Sequence, residues 1–294
     1  MVFMTRVMMV LAILCTSLPL LTGCQSTVKV ELLPRDLQTL KALEDDAAAA
    51  GEHVITTEEI VERIRDAEKW RETKSKDGLV YTFLRKVVVE DLSSGGEVEK
   101  RKTKTYRAFS DNSNQVLLLL NGRKPTQKEI EANRKENRKR QHQFLNSEKD
   151  GKGDPELRGR KFDFYRDKFV PRLISTETIA GRPAYIVQFV PDPSYKLENA
   201  IVDRMMNQML VKAWIDQEEF QVAKAEIKLT KPISFLAGIA ASLREIKFTI
   251  RQKRVTPEIW VDQNVSGIFD VRILFGTYRF RMNSESTEFR PAIK

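Results

Sequence analysis

Residues 245–255, EIKFTIRQKRV, set Ile246, Phe248 and Ile250 against Lys247, Thr249 and Arg251 in strict alternation. A period of two sends successive side chains to opposite faces, so the stretch predicts a strand with one apolar and one charged face. Working outward, Glu258–Val265 and Ile268–Met282 continue the pattern towards the C-terminus. On the other side, Val211–Ile215 and Gln221–Leu229 flank a turn at Asp216–Glu219, and Leu173–Ile179 and Ala184–Val190 flank one at Ala180-Gly181-Arg182. Earlier still, Leu79–Asp91 and Val98–Phe109 form a hairpin about Ser93–Gly96, and Asn114–Leu120 ends in Asn121-Gly122, a strong turn signal. With Phe162–Phe169 these make about ten strands. Strands that follow strands without crossover helices predict an antiparallel sheet.

Helical spacing is confined to a few places, which makes the chain α+β and mainly β. Asp36–Ala50 carries Leu37, Leu40, Leu43 and Ala47 on one side, with Gly51 as its C-cap. Thr56 and Glu59 form a capping box before Ile60, Ile64, Ala67 and Trp70, whose stripe predicts a face packed on the sheet. A second capping box, Thr126 and Glu129, opens a basic helix over Pro125–Phe144. Asn199–Leu210 carries Ile201, Met205 and Met209, and Phe235–Leu243 reads as a helix or a flap.

The N-terminus points to export. Arg6 is the sole charge before Cys24, Val7–Leu14 is continuously apolar, and small residues precede the cysteine, as in a secretory leader. The apolar run falls short of the ~20 residues a membrane-spanning helix needs. Leu21-Thr22-Gly23-Cys24 resembles the bacterial lipobox, which implies diacylation of Cys24, cleavage before it, a leader over residues 1–23 and a tether over 24–35. Gln25 follows the cysteine, and the same resemblance then implies the periplasmic face of the outer membrane, since inner-membrane retention uses an aspartate at that place.

Catalytic chemistry finds little to build on. No phosphate-binding glycine loop, dinucleotide fingerprint or nucleophile elbow occurs. The only cysteines are Cys15, in the leader, and Cys24, and the only histidines are His53 and His142, so neither a disulfide nor a zinc site of the Cys/His type is expected. Asp45-Asp46, Glu58-Glu59 and Glu218-Glu219 are adjacent pairs in turns or helix ends, where capping is the ordinary role. No cofactor, no metal and no enzymatic activity are expected. The formal charge of +9 is concentrated in part in the basic helix, where Arg134, Lys135, Arg138, Lys139 and Arg140 cluster. Such a helix is most simply solvated, with pairs such as Glu131 and Lys135. Its alternative use is contact with anionic lipid headgroups, and an exported chain has little occasion to meet nucleic acid.

Aromatics supply the remaining candidates. Phe83, Tyr106, Phe189, Trp214, Phe248 and Phe269 lie on predicted strands, with Phe235 and Leu236 in the apolar flap. As an ordinary core they pack against helices; as a site they wall a pocket for acyl chains. Trp214 and Trp260 are expected to be at least half buried.

The order of elements adds a resemblance. A lipobox, an amphipathic helix from Ile60 to Trp70, a long hairpin, and a strand ending Lys212-Ala213-Trp214-Ile215-Asp216 before Gln221–Leu229 are similar to the lipoprotein-sorting family of LolA and LolB over about residues 56–285. The resemblance implies a single domain over 36–294, a strongly curved antiparallel sheet or half-barrel with helices over its concave face, and a lipid or lipoprotein acyl-chain ligand. The basic insertion over about 125–146 has no counterpart in that pattern. The competing expectation is a module that recognises a protein partner.

Overall fold

A computed structural model describes residues 55–76, 80–110, 115–146, 168–196, 200–235, 241–273 and 276–292. The leader, Cys24, the helix expected over Asp36–Ala50, most of the strand expected over Phe162–Phe169, and Leu236 lie outside these residues.

Among the described residues eleven strands form one antiparallel sheet: β1 (Val80–Leu92), β2 (Val98–Phe109), β3 (Gln115–Leu120), β4 (Phe169–Ile179), β5 (Arg182–Pro191), β6 (Met209–Asp216), β7 (Val222–Leu229), β8 (Ile233–Phe235), β9 (Ala241–Thr256), β10 (Ile259–Ile273) and β11 (Gly276–Ala292). They run in the order β3-β2-β1-β11-β10-β9-β7-β6-β5-β4, with β8 on β9. The end strands β3 and β4 do not pair with each other, so the sheet is open rather than closed into a barrel. Helices are α1 (Thr57–Lys76), α2 (Gln127–Asn146) and α3 (Ala200–Met206).

Local signals fix the ends. The Thr56 main-chain NH donates to Glu59 at 2.8 Å and the Glu59 NH donates to the Thr56 hydroxyl at 3.2 Å, which completes the box that starts α1. Thr126 and Glu129 repeat it at α2. Asn121-Gly122 and Ala180-Gly181 both take positive φ, the backbone that two-residue hairpin turns require.

Tertiary packing decides what the local pattern leaves open. On the face that carries α1, Ile60 and Ile64 pack against Val187, Ala213 and Ile215 of β5 and β6. Trp70, expected on that packed stripe, is instead 45% exposed, because the cluster beneath α1 is built from the earlier turns at Ile60 and Ile64. The near half of β2 is exposed as expected, and residues 98–102 pair with β1 but reach past β3.

Three boundaries differ from the sequence reading. Met209 and Leu210 belong to β6, paired with Leu229 and Lys228, so the preceding helix ends at Met206. Phe235 lies in β8 opposite Ala241, so the chain is extended at both ends of the expected helix or flap, and residues 236–240 lie outside the described residues. β10 runs unbroken through Ser266-Gly267, which separate the two strands expected over Glu258–Val265 and Ile268–Met282. Gly267 lies opposite Phe248, and a Cβ built there would stand 2.4 Å from its ring. The glycine marks a close approach of ring to backbone, which reads like a gap between two strands in sequence alone.

Candidate functional site

The helix-bearing face of the sheet carries a row of directly opposed residues: Val211, Ile227, Phe248, Gly267, Met282 and Val89. Six strands contribute one residue each, and no polar side chain interrupts the row. At ~4.8 Å per strand it spans about 24 Å. A parallel row beside it runs Ile246, Phe269 and Phe280. Phe269 stacks on Phe280 with ring centroids 4.8 Å apart and meets the edge of Phe248 at 5.6 Å.

Val211, Ile227, Phe248, Ile246 and Phe269 are all buried, and among the described residues α3 supplies part of their cover. α3 has seven residues and contributes Met205 and Met206, which join Phe169, Met209 and Ile233 in the same cluster. Val265, Phe280 and Met282 stay partly exposed at its margin. Methionine fills irregular apolar space and repacks readily, so this lid differs in kind from the branched aliphatic contacts under α1. It is held by a buried ion pair. Lys168, with no exposed side-chain surface, places its ammonium 3.0 Å from Asp203 of α3 and donates to the carbonyls of Asp192 and Tyr195 at 3.0 and 2.6 Å.

Further along the same face the surface turns polar. Arg85 stands opposite Ser286, two pairs beyond Val89 and Met282. The Arg85 Nη2 and Ser286 Oγ are both buried without a hydrogen-bond partner among the described residues. Burial pushes the Arg85 guanidinium down to about 10, and it lies 5.0 Å from the centre of the Phe83 ring.

The structure brings some of the sequence-derived candidates together and separates others. Phe248 and Phe269 share the large cluster, and Phe189 packs at the seam between it and the cluster under α1. Phe83 belongs elsewhere, with Ala108 and Val261, where its ring meets Phe289 at 5.5 Å. Tyr106 is buried under α2 and donates its hydroxyl to Asn133 at 3.1 Å. Trp214 lies on the opposite face of the sheet. Its neighbours Ala213 and Ile215 point to α1, while Trp214 packs with Ile174, Ala184 and Ile186 and donates its indole NH to Glu177 at 2.7 Å. It is 4% exposed, as expected for its size, and Trp260 is also mostly covered, but Trp214 shares no pocket wall with Phe248. The backbone of Phe235 pairs at the edge of β9. What sequence reasoning missed is the contribution of Ile227, Phe280 and Met282, visible only once strand order and register are known.

Along α2, Arg134 and Lys135 are exposed, whereas Asn133 is buried and receives both Tyr106 and the Lys104 ammonium, the latter also 3.1 Å from Glu136. The helix is therefore docked on β2 by a polar contact instead of being solvated all round. The side chains of Arg138, Lys139 and Arg140 lie outside the described residues. Among the described residues no three His, Cys, Asp or Glu side chains gather as metal ligands, and no helix is long and apolar enough to cross a membrane.

No family model and no curated protein matches the chain. Solved structures with a similar chain path include a LolA superfamily protein from Nitrosomonas europaea, 12% identical, covering 82% of this chain and 96% of its own, with a TM-score of 0.28. A putative outer membrane lipoprotein-sorting protein domain from Vibrio parahaemolyticus is 11% identical, covers 76% of this chain and 93% of its own, and has a TM-score of 0.27. A chain of the Pseudomonas aeruginosa MucA/MucB complex is 10% identical, with coverages of 78% and 100% and a TM-score of 0.21.

Proposed function

We propose that this chain is a non-catalytic lipoprotein of the bacterial cell envelope, anchored through Cys24, that holds a lipid or the acyl chains of another lipoprotein against the helix-bearing face of its sheet. The observation that carries this reading is the uninterrupted six-strand apolar row, about 24 Å long, whose cover among the described residues includes the two flexible methionines of the seven-residue α3 and whose margin at Met282 stays partly exposed. An acyl chain laid along Val211, Ile227, Phe248 and Met282 would take the place of Met205 and Met206, whose flexible side chains repack at low cost. Each methylene so buried contributes ~0.8 kcal/mol.

Native mass spectrometry of the chain from Val28 onward, made in a bacterial envelope, tests the reading. The expected spectrum contains a retained lipid mass that Phe248→Leu keeps and Phe248→Asp loses, with circular dichroism confirming that both variants are folded. A folded wild-type domain that retains no lipid overturns it and leaves recognition of a protein partner as the standing alternative.

A further inference from the structure

We infer that the opposite face of the sheet is an anion site for a phosphate-bearing ligand, separate from the apolar row and independent of the lipid reading. A trough of about 730 Å³ crosses β7, β9, β10, β11 and β1 on the face away from the helices. Its floor is low and hydroxyl-rich, formed by Thr249, Ser266 and Asn283, which stand opposite one another in the ladder. Its walls are cationic. Lys228 and Lys247 rise on one side, Arg251 and Lys86 on the other. Lys247 and Arg251 are four residues apart on β9, on the order of 13 Å, so long side chains can converge over the floor from both directions.

The pairing makes the charge deliberate. Lys228 lies directly opposite Lys247, and Lys224 directly opposite Arg251. Like charges in opposed positions destabilise a sheet, and the two pairs flank Glu226 and Thr249, where Glu226 compensates Lys224 and leaves Lys228 against Lys247. Of the acidic residues in the trough, Glu226 is taken up by Lys224 at 2.6 Å and Glu285 stands opposite Lys86, which leaves Lys228, Lys247 and Arg251 in excess. A ligand with concentrated negative charge would relieve the Lys228 and Lys247 pair and meet Arg251 across the floor. Hydroxyls beside a guanidinium and ammonium groups suit the several acceptor oxygens of a phosphate. An acidic peptide fits less well, because the trough lies over the pleated face and offers no free strand edge for main-chain pairing.

Thermal unfolding and calorimetry on the full chain in a non-ionic detergent, at constant ionic strength in chloride, test this with two probes. Inorganic phosphate distinguishes a free-phosphate site, and sn-glycero-3-phosphoglycerol a phospholipid-headgroup site. At least one probe is expected to raise the melting temperature, and Lys247→Glu with Arg251→Glu is expected to weaken its binding at least tenfold. Lys247→Glu alone should raise the ligand-free melting temperature, because Lys228 then faces an opposite charge, so its loss of binding cannot be ascribed to unfolding. Lys100→Glu on the distant hairpin makes the same change in net charge and should keep affinity within twofold. The inference is overturned if neither probe exceeds chloride at equal ionic strength, or if Lys100→Glu weakens binding as much as Lys247→Glu.

Discussion

The Lys168 ammonium sits 3.0 Å from the Asp203 carboxylate with its side chain fully enclosed, and its other contacts are two main-chain carbonyls at the end of β5. This pair fixes α3 over the sheet. Removing one partner of a buried pair leaves the other charge without compensation, which costs ~3–5 kcal/mol. Lys168→Met is therefore expected to lower the urea unfolding free energy by about that amount. Asp203→Asn keeps an acceptor but leaves the buried ammonium without a counter-charge, so it is expected to lose ~3 kcal/mol, the lower end of the same range. Should Lys168→Met unfold at the wild-type urea midpoint, the pair does not hold α3.

Gly267 and Phe248 form a second coupled pair. A methyl group at residue 267 meets the Phe248 ring at 2.4 Å, a contact that something must move to accommodate. Overpacking of this kind costs typically ~1–3 kcal/mol, so Gly267→Ala is expected to destabilise within that range. Phe248→Leu removes the ring that lies over the glycine, and the double variant is expected to recover at least ~1 kcal/mol relative to additivity. Strictly additive unfolding free energies would show that the ring does not occupy that space.

These pairs mark the limit of what the sequence makes legible. The capping boxes Thr56/Glu59 and Thr126/Glu129 and the turn Asn121-Gly122 are readable because donor and acceptor are three residues apart or fewer, and the structure forms them. Alternation at 245–255 likewise gives both faces of β9. Gly267 misleads because the reason for it, Phe248, is in the neighbouring strand. Trp214 was grouped with Phe248 by residue type, although its position between Ala213 and Ile215 already sends it to the other face. Neither the six-strand row nor the cationic trough can be seen without the pairing of β1 with β11, which joins Val89 to Met282 and brings Lys86 towards Arg251.

Anchoring is tested at Cys24. Stable attachment requires two or more acyl chains, each contributing ~0.8 kcal/mol per buried methylene. The wild-type chain is expected to label with palmitate and to fractionate with membranes, and Cys24→Ser to do neither once the leader is removed. Palmitate on the serine variant would refute the lipobox assignment.

The Asp216 carboxyl ties the β6–β7 turn to β5, and its titration predicts how stability depends on pH. Burial pushes this carboxyl up, but Arg182 at 2.5 and 2.8 Å and the main-chain NH groups of Glu219 and Glu218 outweigh it, leaving Asp216 below the usual carboxylate range. A depressed folded-state pKa means that between the two pKa values the unfolded chain binds more protons. The stabilisation is then complete above the unfolded value of about 3.9 and is lost as pH falls through the folded one. At pH 7, Asp216→Asn is expected to cost ~2–4 kcal/mol, towards the lower end of buried-pair losses because Arg182 is partly exposed. Urea unfolding from pH 7 to 2.5 should show the wild-type curve dropping towards that of the variant below about pH 4. Curves that stay parallel to pH 2.5 would mean that the pair contributes nothing that protonation can remove.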